Sequence, residues 1–305
     1  MRVAVVDIGT NSTRLLVAEV EDGAVSELER RSTVTRLGRG VDTSGQLATD
    51  AIEEVCKTVA EYIATYEPLQ PDIVTAIATS AVRDAQNSGA FLAELRERFA
   101  LNARMLDGAE EARLTYLGAV ADRQPAYGTL VVDIGGGSTE LVVGSGKEVS
   151  YYASLQTGTV RHTERYLVTD PPAAEDLEAL ADDVRELIYA ELSRADFLTA
   201  NEGIAVAGTP TSLAAIEQEL DPYDPERVHG YELSLDSIQH MCSMLASKTL
   251  EERVQVPGLH AERAPTIVAG VVILIQVMRA FGLRRIEVSE HDILYGAALE
   301  AARGD

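Results

Sequence analysis

The sequence predicts an α/β protein assembled from two duplicated units. Three observations carry that prediction. Val131–Val143, VVDIGGGSTELVV, reads as a buried strand, a glycine turn and a second strand. Val5–Val17, VVDIGTNSTRLLV, repeats it at both Val, Asp, Ile, Gly, the Ser-Thr pair, Leu and the final Val, and so close a repeat marks duplicated folding units. Strand-like runs alternate with helical stripes along the remainder, and 305 residues are long for one core.

Composition narrows the function classes. An apolar fraction of 46% suits packed interiors, and 25% charged residues suits a hydrated surface. The net charge of −23 argues against a nucleic-acid partner or an anionic membrane surface. An anionic substrate is still allowed, provided that arginines or a metal ion concentrate positive charge locally. Cys56 and Cys242 lack metal spacing and read as reduced thiols. The chain opens directly on a strand, MRVAVVDIG, with no signal-peptide pattern, and Ile267–Val277 is too short to cross a bilayer. A cytoplasmic protein is expected.

The elements follow in order. Asp133 ends a strand beside Gly135, Gly136 and Gly137, whose backbone N–H groups can converge on an anion. A carboxylate beside a phosphate-sized nest calls for a cation or a water between them. Glu21-Asp22-Gly23 signals a hairpin turn. Leu28–Val41 carries Arg30, Arg31, Arg36 and Arg39, a cationic patch that serves either as a solvated strand face or as an anion-steering surface. Thr49–Tyr66 has a helical stripe, and Asp72–Ala78 is a strand leading into Thr79-Ser80-Ala81-Val82-Arg83-Asp84. That spacing puts Arg83 at a helix N-terminus, where anions are favoured, unless it pairs with Asp84.

Phe91–Phe99 reads as helix, Asn102–Leu106 as a short strand, and Asp107-Gly108-Ala109-Glu110-Glu111 as the start of a helix reaching about Val120. Glutamates in a first turn compensate the dipole; one held beside a phosphate can instead act as a general base on water. Gln124–Thr129 reads as the linker between the units. Beyond it come Gly158, Arg161, His162 and Arg165 near a helix start, and a loop at Pro171-Pro172. An exposed amphipathic helix over Glu175–Glu186 follows. Gly203–Ala207 is a strand ending at Gly208-Thr209, a second corner suited to phosphate or nucleotide. Leu233–Leu245 and Ala264–Phe281 read as helices, Pro257–Ala264 as a loop, Arg285–Ser289 as a strand, and a terminal helix starts at Ile293. His291-Asp292 alone is too little for a metal motif.

Strand-turn-strand units that open each half with Asp-x-Gly are neither Walker A nor Rossmann patterns, which run from strand into helix. They resemble the actin–Hsp70–sugar kinase superfamily. Within it, DIGTNSTRLLV, ATSAVRDAQN, DGAEEARLTYLGA, VVDIGGGSTEL, GTVRHTERYL and AGTPTSLAA are similar to the Ppx/GppA family, in the right order over essentially the whole chain. The resemblance implies two RNase H-like, actin-like ATPase lobes with mixed β-sheets flanked by helices and an active cleft between them. The N-terminal lobe would span 1–124 and the C-terminal lobe 125–305, with the last helix free to pack back on the first.

The same resemblance supplies roles. Glu111 matches the catalytic base, Glu140 a second functional glutamate and Arg83 a phosphate-contacting arginine. Asp133 would bind Mg²⁺ (or Mn²⁺), with Asp7 its pseudo-symmetric counterpart. Gly135, Gly136, Gly137 and Ser138 would hold phosphate oxygens from one lobe, Asn11 and Ser12 from the other, and Gly208-Thr209 at the second corner. The implied activity is exopolyphosphatase: release of orthophosphate from the end of inorganic polyphosphate. Longer relatives append helical domains that this chain lacks, so short chains are expected to be preferred. Pro210, where relatives have another small residue, removes one N–H donor.

The same residues would serve a guanosine pentaphosphate phosphohydrolase of the stringent response, with guanosine penta- or tetraphosphate as partner. A small-molecule kinase of the superfamily is disfavoured by GAEEARL. A non-catalytic polyphosphate or alarmone sensor is disfavoured by intact Glu111, Asp133 and Glu140. A homodimer is expected from the family alone.

Overall fold

The computed structural model describes residues 1–123, 128–193 and 200–304. Two compact units result: Met1–Arg123 with Asp292–Asp305, and Gln124–His291. The second unit therefore ends before the terminal helix, which belongs to the first. Of the expected linker, residues 124–127 lie outside the described residues, while Thr129 already opens a strand.

In the first unit the strands are β1 (Arg2–Ile8), β2 (Ser12–Glu21), β3 (Ala24–Val34), β4 (Ile73–Ala78) and β5 (Ala103–Met105), ordered β3-β2-β1-β4-β5. β1 pairs antiparallel with β2 and parallel with β4. Alternation in β1 sends Ala4, Val6 and Ile8 to one face, under helix Thr49–Tyr66 with Val55, Val59 and Tyr62. Val3 and Val5 go to the opposite face. There they meet Leu114 and Leu117 of helix Gly108–Ala119, and Ile293, Leu294, Ala297 and Ala298 of helix Ile293–Arg303. The terminal helix belongs here because without its apolar side this sheet face would be open to water. Asp7 lies in phase with Val3 and Val5, so it shares the face of those two helices.

The two helices are in unusually close contact. A Cβ on Gly118 would lie 1.8 Å from the Asp292 carbonyl oxygen, and one on Gly296 would lie 1.9 Å from that of Leu114. Backbone touches backbone here, which only glycine allows. Arg104 and Arg113 both pair with Glu300, at the solvent edge of this packing.

The second unit repeats the plan with β6 (Thr129–Ile134), β7 (Thr139–Ser145), β8 (Glu148–Leu155), β9 (Glu202–Val206), β10 (Glu232–Ser234) and β11 (Arg285–Val288). Their order, β10-β11-β9-β6-β7-β8, places β8, β7, β6 and β9 as β3, β2, β1 and β4 stand in the first sheet. Both sheets are mixed. Helix Ile267–Ala280 is buried on all sides, as its continuous apolar sequence requires. Helix Ala174–Leu192 buries only Leu180, Val184 and Ile188, the expected amphipathic surface helix.

Two of the boundaries that differ from the sequence reading lie beyond residue 230. Leu233 and Ser234 belong to β10, and the helix starts only at Leu235 with Ser234 as its cap. A three-residue strand is too short to show a period of two, and its Leu fits the helical stripe behind it. The expected loop Pro257–Ala264 contains a short 3₁₀ turn, Ala261–Arg263, and the apolar helix begins after it at Ile267.

Candidate active site

In the first unit, Gly9 N–H donates to the Ser12 carbonyl at 3.0 Å, closing a tight turn between β1 and β2. The Thr10 carbonyl accepts from Gly38 N–H, and that of Asn11 from Thr35 and Arg36 N–H. In a trans peptide the N–H lies opposite the C=O, so the amides of Asn11 and Ser12 face away from residues 35–38. Asn11 Nδ2, Ser12 Oγ and Ser80 Oγ are buried without a hydrogen-bond partner. Each such group costs about 1–3 kcal/mol if left unmatched, which makes these three side chains candidate contacts for ligand oxygens.

Arg83, in the short helix Ser80–Asp84, donates to Glu111 Oε2 at 2.7 Å and to the Leu106 carbonyl at 3.0 Å. A close carboxylate for Arg83 is thus Glu111, 28 residues on. The two glutamates of the following helix are sorted by structure. Glu110 forms a capping box with Asp107 and pairs with Arg104. Glu111 is buried. Burial pushes its carboxyl up to about 7, against the pull of Arg83 and with a further push from Asp7 and Asp84.

Asp7 is opposite Arg14 in the β1–β2 register and accepts from Arg14 Nη2 at 2.6 Å and Nε at 2.9 Å, both on Oδ2. Arg14 also pairs with Asp292, the N-cap of the terminal helix. Burial pushes both carboxyls up. Asp292, which has Arg14, Arg30 and the Leu294 N–H as well, ends below the ordinary carboxylate range, whereas Asp7 ends above it. Asp292 is accordingly a helix cap and an ion-pair partner of Arg14.

The second unit reproduces the turn: Gly135 N–H donates to the Ser138 carbonyl at 3.0 Å. Helix Thr159–Tyr166 holds its outer side. Thr159 N–H donates to the Gly135 carbonyl, Val160 and Arg161 N–H to that of Gly136, and Arg161 Nε to that of Gly137 at 2.8 Å. With three carbonyls turned to the helix, the N–H groups of Gly136, Gly137 and Ser138 face the other way as a nest. Gly158 makes the approach possible, since a Cβ there would lie 2.5 Å from the Gly136 carbonyl.

One position separates the two repeats chemically. Glu140 stands where Arg14 stands, opposite Asp133 in the β6–β7 register and opposite Ser154 in β7–β8. Ser154 Oγ donates to Glu140 Oε1 at 2.8 Å. The first repeat carries its own cation beside its aspartate, and the second sets a carboxylate there. Facing carboxylates are hard oxygen donors of the kind that suit Mg²⁺ or Mn²⁺. Asp133 with Glu140 fits such an ion better than Asp7, whose Oδ2 is committed to Arg14 and whose buried Oδ1 has no hydrogen bond.

At the second corner, Gly208 opens helix Gly208–Glu217 and packs against the Arg263 guanidinium, 2.3 Å from where a Cβ would stand. Thr209 is buried with its side chain against Gly270. The sequence-predicted residues thus divide into Asp7, Asn11, Ser12, Arg83 and Glu111 in the first unit, and Asp133, Gly135–Ser138, Glu140, Gly208 and Thr209 in the second. Sequence reasoning passed over Ser80, Arg14 and Arg263. Only Arg14 had a signal, the mismatch with Glu140 on aligning the repeats. Within the cationic patch, Arg31 pairs with Glu29, Arg39 with Asp50, and Arg30 lies 4.0 Å from Asp292. Both cysteines are free thiols. Among the described residues no helix is long and apolar enough to cross a membrane.

Comparison with known proteins agrees with this architecture. A model of the Ppx/GppA phosphatase family matches residues 16–301. The chain is 34% identical to Exopolyphosphatase 2 of Mycobacterium tuberculosis over 315 residues, covering 99% of this chain and 98% of the relative. The crystal structure of the Aquifex aeolicus Ppx/GppA family member superposes with a TM-score of 0.84 at 32% identity, over 100% of this chain and 98% of that one. An exopolyphosphatase structure from Cytophaga hutchinsonii, 24% identical, gives a TM-score of 0.91 over 100% and 98% of the two chains, a likeness of fold. Because the family model matches from residue 16 into the terminal helix and the Mycobacterium tuberculosis relative covers 99% of the chain, the chain belongs to the Ppx/GppA phosphatase family.

Proposed function

We propose that the chain hydrolyses the terminal phosphoanhydride of inorganic polyphosphate and releases orthophosphate. The observation that carries this reading is Glu111, a buried carboxyl poised at about 7 beside Arg83, in a unit whose Asn11, Ser12 and Ser80 side chains are unmatched donors. A base whose pKa lies near the working pH suits proton abstraction from water. Glu111 takes the proton, the water oxygen attacks the terminal phosphorus, and the bond to the bridging oxygen breaks. Within the first unit Arg83 and the Asn11 and Ser12 groups can hold phosphoryl oxygens and absorb their charge, and within the second unit the Gly136–Ser138 amides offer a phosphate cradle of their own. Asp133, with Glu140 beside it, would hold a Mg²⁺ ion, which would supply charge neutralisation to phosphoryl oxygens. Short chains are favoured, since a net charge of −23 and carboxylate partners already on Arg31 and Arg39 repel a long polyanion.

The test is phosphate release from tripolyphosphate, long polyphosphate, guanosine pentaphosphate and ATP, with and without Mg²⁺. Release from polyphosphate that fades with chain length is expected. A preference for guanosine pentaphosphate would transfer the same residues to an alarmone substrate, and no release from any would overturn the reading. Glu140→Gln should raise the Mg²⁺ concentration for half-maximal rate by about 10–100-fold, as loss of a supporting carboxylate does. An unchanged Mg²⁺ titration would remove Glu140 from the ion's surroundings.

A further inference from the structure

His162 has no exposed surface, and its ring is engaged on both nitrogens. Gly158 N–H, which can only donate, lies 3.3 Å from Nδ1. Nδ1 is therefore the acceptor and the proton is assigned to Nε2, which lies 3.2 Å from Asp183 Oδ2 and 3.1 Å from Thr157 Oγ1. Thr157 is tied in turn to β7, its carbonyl accepting from Thr139 Oγ1 at 2.8 Å. His162 thus fixes the two residues that precede helix Thr159–Tyr166, the same helix whose first N–H groups hold the carbonyls of Gly135 and Gly136.

We propose that His162 and Asp183 form a positioning pair for the glycine cradle, with neutral His162 holding Gly158 against Gly136 and Asp183 fixing the tautomer. This rests on the reading of Gly136–Ser138 as a phosphate cradle. A proton on Nδ1 would set two donors face to face and release Gly158, so the cradle loosens in acid. The charged groups around the ring are Asp183 on helix Ala174–Leu192 and Arg161 and Arg165 on its own helix, beside Tyr166 at 5.7 Å. Helix Ile267–Ala280 carries only Arg279 in its last turn, and β7 carries Glu140, bound to Ser154. Burial favours the neutral ring and Asp183 opposes it, leaving the ring more easily deprotonated than a free histidine. Above the ordinary histidine range the pair is intact. It is lost as pH falls through the lowered value.

The experiment is binding of imidodiphosphate, whose P–N–P bridge resists hydrolysis, to wild type, His162→Asn and His162→Leu at pH 7.5 and at a second pH on the acid side of the ring's lowered value. Asn offers Oδ1 in place of Nδ1 and does not titrate. Wild type and His162→Asn should bind alike at pH 7.5, and on the acid side of the ring's lowered value wild type should be weaker than His162→Asn by about 3–10-fold, the worth of one hydrogen bond. His162→Leu should be weaker than His162→Asn by a similar factor at both pH values. Comparing variants at one pH cancels the ligand's own ionisation. Equal binding by all three at both pH values overturns the proposal. Equal weakening of the Asn and Leu variants at both pH values overturns it too, by reducing His162 to packing. Gly136→Val, measured alongside at pH 7.5, reads the cradle itself: unchanged binding there removes the cradle, whereas a loss there with none at His162 removes only the pair.

Discussion

Glu111→Gln should lower kcat by about 10²–10⁴-fold, the usual contribution of a positioned base, with little change in substrate affinity. Gln keeps the volume and one acceptor for Arg83 but cannot take a proton from water. Unchanged kcat in single-turnover phosphate release would sink Glu111 as the base. Wild-type kcat/KM should fall on the acid side of about pH 7, where burial places the carboxyl, and that limb should vanish in the variant. The same shift has a cost in stability. Between the ordinary value of 4.5 and about 7, the folded chain holds a proton that the unfolded chain has released. Stability therefore falls as pH rises through that window, by about 3 kcal/mol at most. Gln abolishes the fall, offset in part because Arg83 loses its counter-charge. A stability profile as steep in the variant as in wild type would contradict this assignment.

Gly296→Ala should be the most damaging conservative change outside the chemistry. Its Cβ would stand 1.9 Å from the Leu114 carbonyl oxygen and 2.7 Å from the carbonyl carbon, and neither is the yielding tip of a side chain. The helices Gly108–Ala119 and Ile293–Arg303 have to part along their whole contact, opening the apolar layer formed by Leu114, Leu117, Leu294 and Ala298. A loss of about 3 kcal/mol, at the upper end of overpacking costs, would lower Tm by about 6–12 °C. Gly118→Ala should act alike, with Asp292 as the obstacle. Because Glu111 rides on the displaced helix, kcat should fall as well. A Tm within about 2 °C of wild type for both variants would mean that the helices yield without loss.

The duplication was legible in the sequence because the glycine turn, Asp and Ser-Thr pair recur, and each is demanded by local backbone geometry. So was the placement of Glu111 in a first helical turn and of Arg83 after a strand. What could not be read was which groups meet. Arg83 finds Glu111 across 28 positions, and Arg14 finds Asp292 across 278. Neither follows from any periodicity. Which of Glu110 and Glu111 caps the helix and which is buried rests on the side of the helix facing the sheet, a tertiary fact. β10 was absorbed into a helix because three residues carry no period, and Arg263 looked like loop because its neighbour Gly208 is far along the chain.

The return of residues Asp292–Asp305 to the first unit orders events at the ribosome. Met1–Arg123 is made before Asp292–Arg303, and until those residues follow, the sheet face bearing Asp7 has helix Gly108–Ala119 without its partner helix, and Arg14 is without its ion pair to Asp292. The nascent first unit must wait, exposed, while the whole second unit is made and folds. A product that stopped short of Asp292 would therefore contain every sequence-predicted site residue and still lack the helix that packs against the one bearing Glu111.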